Sequence, residues 1–125
     1  MMNKIRYEQT TEFQKDLKGL LKKYPSLESD IELAKTHAIE LFHVNKINNL
    51  SVFPIPNFCR GDIQIYKIKK FACRSLKGRG NKSGIRIIYA FNCTTLQVTF
   101  IEIYFKGDKE NEDRARVEEW MRSMA

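Results

Sequence analysis

The stretch Gly84–Lys106, "GIRIIYAFNCTTLQVTFIEIYFK", holds two runs of strand-forming residues on either side of "NCTT". β-Branched and aromatic residues dominate both runs, and a gap of this length makes a hairpin, so the spacing predicts two antiparallel neighbours. Side chains on a strand alternate between its faces. In the first run Ile85, Ile87, Tyr89 and Phe91 share one face, leaving Arg86, Ile88 and Ala90 on the other. In the second, Ile101, Ile103 and Phe105 form the apolar set, opposite Glu102, Tyr104 and Lys106. A one-sided hairpin needs helices over its apolar face.

The chain on either side supplies them. "NKIRYE" near the start predicts a short strand, and "TTEFQKDLKGLLKKYP" follows with Phe13, Leu17, Leu20, Leu21 and Tyr24 on one helical face. Thr11 with Gln14 has the capping-box pattern, and Pro25 ends the helix. A second helix starts at Ser26 as its cap, with Leu27, Ile31, Ala34, Ala38, Leu41 and Phe42 as its stripe. So short a turn predicts an antiparallel helical hairpin. "NKINNLSVFPIPNFCRGD", Asn45–Asp62, reads as an irregular connection, because Pro54, Pro56 and Gly61 break any pattern. Gln64–Cys73 reads as another strand, with Tyr66 and Ile68 on one face and Lys67 and Lys69 on the other. "DKENEDRARVEEWMRSMA" predicts a last helix capped by Asp108, with Val117, Trp120, Met121 and Met124 as its stripe. The sum is a single α+β domain over residues 1–125, in the order β-α-α-β-β-β-α. The expected sheet is curved and mostly antiparallel, with the N-terminal helical hairpin on one face and a C-terminal helix after it.

Charge is segregated along this order. The formal net charge is +7, and counting along the chain puts +1 in residues 1–62, +8 in 63–101 and −2 in 102–125. Asp62 and Glu102 bracket a segment with no carboxylate at all. A one-signed field on a small domain attracts polyanions. Five of the basic residues lie in "RSLKGRGNKSGIR", Arg74–Arg86, a glycine-rich loop leading into the first strand of the hairpin. Its glycines permit tight or positive-φ turns. Arg74, Lys77, Arg79 and Lys82 are therefore candidates to meet RNA phosphates or an acidic protein partner.

Other chemistries find little support. Cys59, Cys73 and Cys93 are odd in number and widely spaced, which speaks for reduced thiols in the cytoplasm rather than a disulfide framework or a zinc site. The N-terminal residues lack the apolar core of a signal peptide, and no run reaches the length of a membrane span. His37 and His43, six apart on a helix, do not share a face and make no metal pair. "GRGNKSG" lacks the spacing of a phosphate-binding P-loop and joins two strands. Glu102 and Glu112 lie on different elements, and nothing in the sequence brings them together. No cofactor and no metal are expected.

If the apolar sets share the helix-covered face, then Lys67, Lys69, Arg86, Glu102, Tyr104 and Lys106 share an open one. Arginine and lysine there suit a phosphodiester backbone. The set also has the parts for metal-independent RNA scission. Such scission needs a base for a ribose 2′-hydroxyl, cations for the charge building on phosphorus and an acid for the departing 5′-oxygen. A structural alternative is that Glu102 pairs with Arg86 across the sheet.

Taken together, "FQKDLKGLLKKYP", "IYKIKKF", "GIRIIYAF" and "FIEIYFKGDKENED" resemble the RelE/ParE superfamily of toxins from bacterial type II toxin–antitoxin systems, over nearly the whole chain. The resemblance implies a ribosome-dependent mRNA endoribonuclease that inhibits translation. In such enzymes two lysines of the Y-K-x-K strand and the arginine heading the next strand grip the scissile phosphate, and Lys67, Lys69 and Arg86 match them. Lys106 resembles the basic position at the end of the last strand, with Tyr104 and Glu102 as acid–base candidates. The family's further arginine and tyrosine are not matched, since Asp108 and "ENED" stand there and the last helix has no tyrosine. A cognate antitoxin is implied as partner, laying an acidic amphipathic segment over the toxin. A ParE-like inhibitor of DNA gyrase and an inactive or regulatory RelE-like protein are the alternative readings. Oligomeric state stays open.

Overall fold

In the computed structural model, which describes residues 4–48, 50–76, 78, 80 and 82–124, one five-stranded sheet organises the chain. Strand β1 (Arg6–Gln9) precedes helix α1 (Thr11–Leu21). Helix α2 begins at Leu27–Ala34, passes through a π-helical stretch, Lys35–Glu40, and ends with the turn Leu41–His43. Four strands come next, β2 (Val52–Arg60), β3 (Ile63–Ile68), β4 (Ile85–Asn92) and β5 (Gln97–Phe105), before helix α3 (Arg114–Ser123). The strand order is β1-β5-β4-β3-β2, antiparallel throughout except for the parallel pairing of β1 with β5. The α+β class and the mostly antiparallel sheet expected from the sequence are found.

Strand β2 corrects the reading of Asn45–Asp62 as irregular, so the order is β-α-α-β-β-β-β-α. Proline removes a ladder donor and is confined to edges and bulges. Strand β2 lies at the sheet edge, and its pairing with β3 slips between Pro54 and Cys59. Strand β3 is also shorter than the run Gln64–Cys73. Past Ile68 the chain leaves the ladder, and Phe71 pairs with Lys82 in an isolated bridge.

Each sheet face has its own core. Phe13 and Leu17 of α1 with Leu27, Ile31, Ala38 and Ile39 of α2 pack on Ile68, Ile85, Ile87, Tyr89, Val98 and Phe100. On the other face Val117 and Met121 of α3 pack on Ile55, Phe58, Ile65, Ile88, Ala90 and Ile101. The second face is therefore not open along its length, as the alternation had implied. Helix α3 covers it because Ile65, Ile88 and Ile101 are fully buried there.

Ile101 is itself a correction, since the plain alternation set it with Ile103. Ile88 pairs with Glu102 and Tyr89 with Phe100, so Ile101 is the extra residue of a β-bulge and turns to the α3 side. The bulge's loose polar groups are satisfied. Arg116 and Thr10 donate to the Ile101 carbonyl at 3.1 and 3.4 Å, and the Ile103 N–H donates to Asp16 at 3.3 Å.

Helix starts differ from expectation by small amounts. Thr10, not Thr11, caps α1 by accepting from the Phe13 N–H, and Asp113, not Asp108, caps α3 by accepting from Arg116. Ser26 sits at the cap position of α2, but its hydroxyl donates to Asp30 at 2.6 Å instead. The π-helical stretch adds a residue to the turn and rotates the end of the helix about its axis. Ile39 and His43 are therefore buried, while Leu41 and Phe42 are only half-buried.

Candidate nucleic-acid interface

Pairing across β3, β4 and β5 decides which side chains meet. Lys67 lies opposite Ile88, and Ile88 opposite Glu102; one step along the same face, Arg86 lies opposite Tyr104. Register thus puts Lys67, Arg86, Glu102 and Tyr104 on the α3 side of the sheet, where the loop leading into α3 packs on them, so that Glu102 and Tyr104 are buried and Lys67 and Arg86 half-buried. Gly84 sets the entry of β4. Its φ is +84°, and a Cβ there would stand 3.0 Å from the Phe105 ring.

Arg86 is half-buried and donates to the Lys69 carbonyl at 2.8 Å. This bond fixes the arginine against the end of β3 while most of its donors stay available. Lys69, just past the strand, is exposed with its ammonium 4.8 Å from the centre of the Phe53 ring. Lys106 is exposed, and its N–H donates to the Gly84 carbonyl at 2.8 Å, which holds it beside the start of β4.

Lys67 is different, because only 13% of its side chain is exposed and its ammonium stands 2.5 Å from the Glu112 carboxylate. Burial alone would lower the Lys67 pKa, but the bond to Glu112 raises it above the ordinary lysine value. The same bond outweighs burial for Glu112 and holds its carboxyl below the ordinary range. Lys67 is thus a fixed cation and no general base. The Tyr104 hydroxyl is buried beside the Lys67 ammonium, in the field of Lys67, Glu112 and Glu102. Burial raises its pKa above the ordinary tyrosine value, although Lys67 pulls the other way, so it is a neutral O–H donor at pH 7.

Glu102 does not pair with Arg86. Its carboxylate is buried, ion-paired with Lys109, and accepts from the Asp113 N–H at 2.9 Å. It is thereby committed to tying the loop 106–113 to the start of α3.

The basic loop divides. Arg74 turns to α2, where its Nε donates to the buried Asp30 at 2.9 Å and its N–H to the same carboxylate at 3.2 Å. That places Arg74 with the helices and away from Lys67 and Arg86. Lys82 is exposed at its bridge to Phe71. Lys77 and Arg79 lie outside the described residues.

His43 is buried, with Nε2 2.8 Å from the Tyr89 hydroxyl and its ring stacked 4.0 Å from Phe91. Burial, helped by Lys46, lowers its pKa to about 4. Beside it a cleft of about 450 Å³ lined by Phe42, Tyr66 and Phe91 opens among residues that pack with the helices, and it contains none of the cationic group. Cys73 is buried, Cys59 and Cys93 are exposed, and all three are free. Among the described residues no three His, Cys, Asp or Glu side chains group to hold a metal, and no helix is long and apolar enough to cross a membrane.

No family model matches the sequence, and no curated protein matches it. The fold is similar to a solved structure, described as the crystal structure of the archaeal RelE-RelB complex from Pyrococcus horikoshii OT3. The identity is 14% and the TM-score 0.48, over 82% of this chain and 96% of that one.

Glu112 and Arg114 are the members of the site that the strand alternation could not supply. Arg114 lies 3.6 Å from Glu112, with its guanidinium 4.6 Å from the centre of the Phe58 ring. Both stand where the chain turns back from β5 into α3, so Glu112 reaches Lys67, and Arg114 reaches Glu112, through space and not through register. The available signal was "ENED", Glu110–Asp113, a few residues past the strand that carries Tyr104.

Proposed function

We propose that this protein is the toxin of a type II toxin–antitoxin system, acting in the cytoplasm as a metal-independent endoribonuclease on mRNA engaged by the ribosome. The supporting observation is the convergence of Lys67, Arg86 and Tyr104 on one end of one sheet face, with Lys69 and Lys106 beside them. The resemblance of the strand motifs to RelE-like toxins points the same way. Scission of this kind moves the ribose 2′-hydroxyl proton to solvent water, joins the 2′-oxygen to phosphorus, breaks the bond to the 5′-oxygen, and leaves a cyclic phosphate and a 5′-hydroxyl. Lys67 and Arg86 stabilise the charge that builds on the phosphoryl oxygens. Tyr104, held protonated by burial, donates to the departing 5′-oxygen. Lys69 and Lys106 hold the flanking phosphates. Glu102, bound to Lys109 and the α3 backbone, takes no part in the chemistry. A cognate antitoxin that covers this cationic end with acidic residues is the partner such a toxin needs.

Purified protein added to an in vitro translation reaction, with mapping of mRNA 5′ ends, tests the reading. New ends in translated message are expected, and Arg86→Ala, with an unchanged circular dichroism spectrum, lowers the cleavage rate by about 10²-fold or more. Intact message with undisturbed translation overturns it. Inhibition of DNA supercoiling that survives Arg86→Ala moves the protein to the gyrase-binding class.

A further inference from the structure

The contact between Glu112 and Lys67 bears on how any phosphate reaches the cationic group. In the loop 106–113 every residue is exposed except Glu112, whose side chain is only 9% exposed. Its carboxylate lies 2.5 Å from Lys67 and 3.6 Å from Arg114, and its charge acts on the buried Tyr104 hydroxyl next to Lys67. A carboxylate and a phosphate present similar oxygens to lysine and arginine donors. Stability gives little reason for the arrangement, because a largely buried ion pair roughly breaks even against apolar residues of the same size. The rest of the loop is anchored without this side chain. Glu102 holds Lys109 on one side of Glu112 and the Asp113 N–H on the other, so the start of α3 stays anchored whichever way Glu112 points.

We propose that Lys67, Arg114 and the Tyr104 hydroxyl form a subsite for one RNA phosphate, which the Glu112 carboxylate occupies until the RNA displaces it. Glu112 is then an internal competitor that weakens binding of isolated RNA. The proposal rests on the RNA-binding reading of this face and adds to it the residue that guards the site and a second arginine. The phosphate could belong to an RNA strand or be free in solution, since the donors recognise the group itself.

The full-length protein is titrated with a short fluorescent single-stranded RNA carrying 2′-O-methyl riboses, which cannot be cleaved, and separately with inorganic phosphate. Glu112→Gln is expected to bind the RNA about five- to tenfold more tightly than the unaltered protein, the effect of removing one competing charge at a partly buried contact. Glu110→Gln, which makes the same change in net charge at an exposed position of the same loop, should stay within about twofold of the unaltered protein. In the Glu112→Gln background, Arg114→Ala should lose most of the gain. Thermal melts accompany every variant, and Glu112→Ala stands in if the glutamine variant does not fold. RNA binding that depends on Arg86 and is the same with and without Glu112 overturns the subsite and leaves the RNA reading intact. Equal tightening by Glu110→Gln also overturns it, because the effect is then one of net charge. Absence of RNA binding by both the unaltered protein and Glu112→Gln overturns both readings. Tightening for inorganic phosphate but not for RNA shows a free-anion site and overturns the assignment to a nucleic acid strand.

Discussion

At the scale of single residues, burial assigns roles that residue type leaves open. Lys67 and Lys69 alternate identically in the sequence, yet one is largely buried against Glu112 and the other exposed over Phe53. Glu102, a plausible acid–base group by position, is bound to Lys109 and the α3 backbone. His43 shows the energetic side of burial. Its folded pKa of about 4 lies below the ordinary value of 6.5, because the charged ring is excluded from its site against Tyr89 and Phe91. A histidine lowered in this way takes up its proton on unfolding, so stability is fully present above pH 6.5 and is lost as pH falls toward 4. The loss should reach about 2 kcal/mol at pH 5. Urea unfolding at pH 7 and pH 5 measures it, and His43→Gln should remove most of the difference. A pH-independent midpoint in the unaltered protein would show that His43 charges freely in the folded state.

At the scale of elements, the bulge in β5 governs the site. By inserting Ile101 it turns that side chain under α3 and sets Glu102 opposite Ile88 and Tyr104 opposite Arg86. Uninterrupted alternation does place Arg86 and Tyr104 on one face, which is why that pair was legible in the sequence. The bulge itself was not, since Phe100, Ile101 and Ile103 are all apolar and nothing in their order marks the extra residue. Its cost appears in the partners it needs. Asp16 of α1 accepts from the Ile103 N–H at 3.3 Å and is ion-paired to Arg116 at 2.7 Å, while Arg116 also reaches the Ile101 carbonyl. Asp16→Ala should destabilise the fold by about 2 kcal/mol, by leaving a backbone donor and a half-buried guanidinium unsatisfied. A double-mutant cycle with Arg116→Ala, read by urea midpoints, should give a coupling of about 1 kcal/mol. Additive effects would mean that the two helices are not tied through this pair.

At the scale of the molecule, local patterns and long-range placement differ in how far the sequence shows them. The helices, the β4–β5 hairpin and the grouping of Lys67 with Arg86 arise from periods of 3.6 and 2, and these are written in consecutive residues. Strand β2 was hidden because prolines at an edge look like a loop. The second core was hidden because α3 is amphipathic whichever face it covers, and the position of Glu112 depends on where a loop of irregular backbone happens to turn. The same placement determines the behaviour of the whole charge distribution. A segment of +8 between Asp62 and Glu102 would suggest a broad polyanion surface, yet Arg74 is turned to Asp30 and Lys67 to Glu112. Single-stranded nucleic acid releases counterions with a slope of about −0.7 in log K against log salt for each phosphate neutralised. With Lys69, Arg86 and Lys106 as the available cations at the site, the slope for the unaltered protein should be about −2. Arg86→Ala should make it shallower by about 0.7, whereas Arg74→Ala should leave it unchanged. Glu112→Gln should steepen it by a similar amount, because Lys67 then meets a phosphate in place of a carboxylate. RNA titrations over a range of potassium chloride concentrations measure all four slopes. A slope several times steeper, falling equally with Arg74→Ala and Arg86→Ala, would mean that RNA spreads over the whole basic surface and that the end of the sheet has no special claim on it.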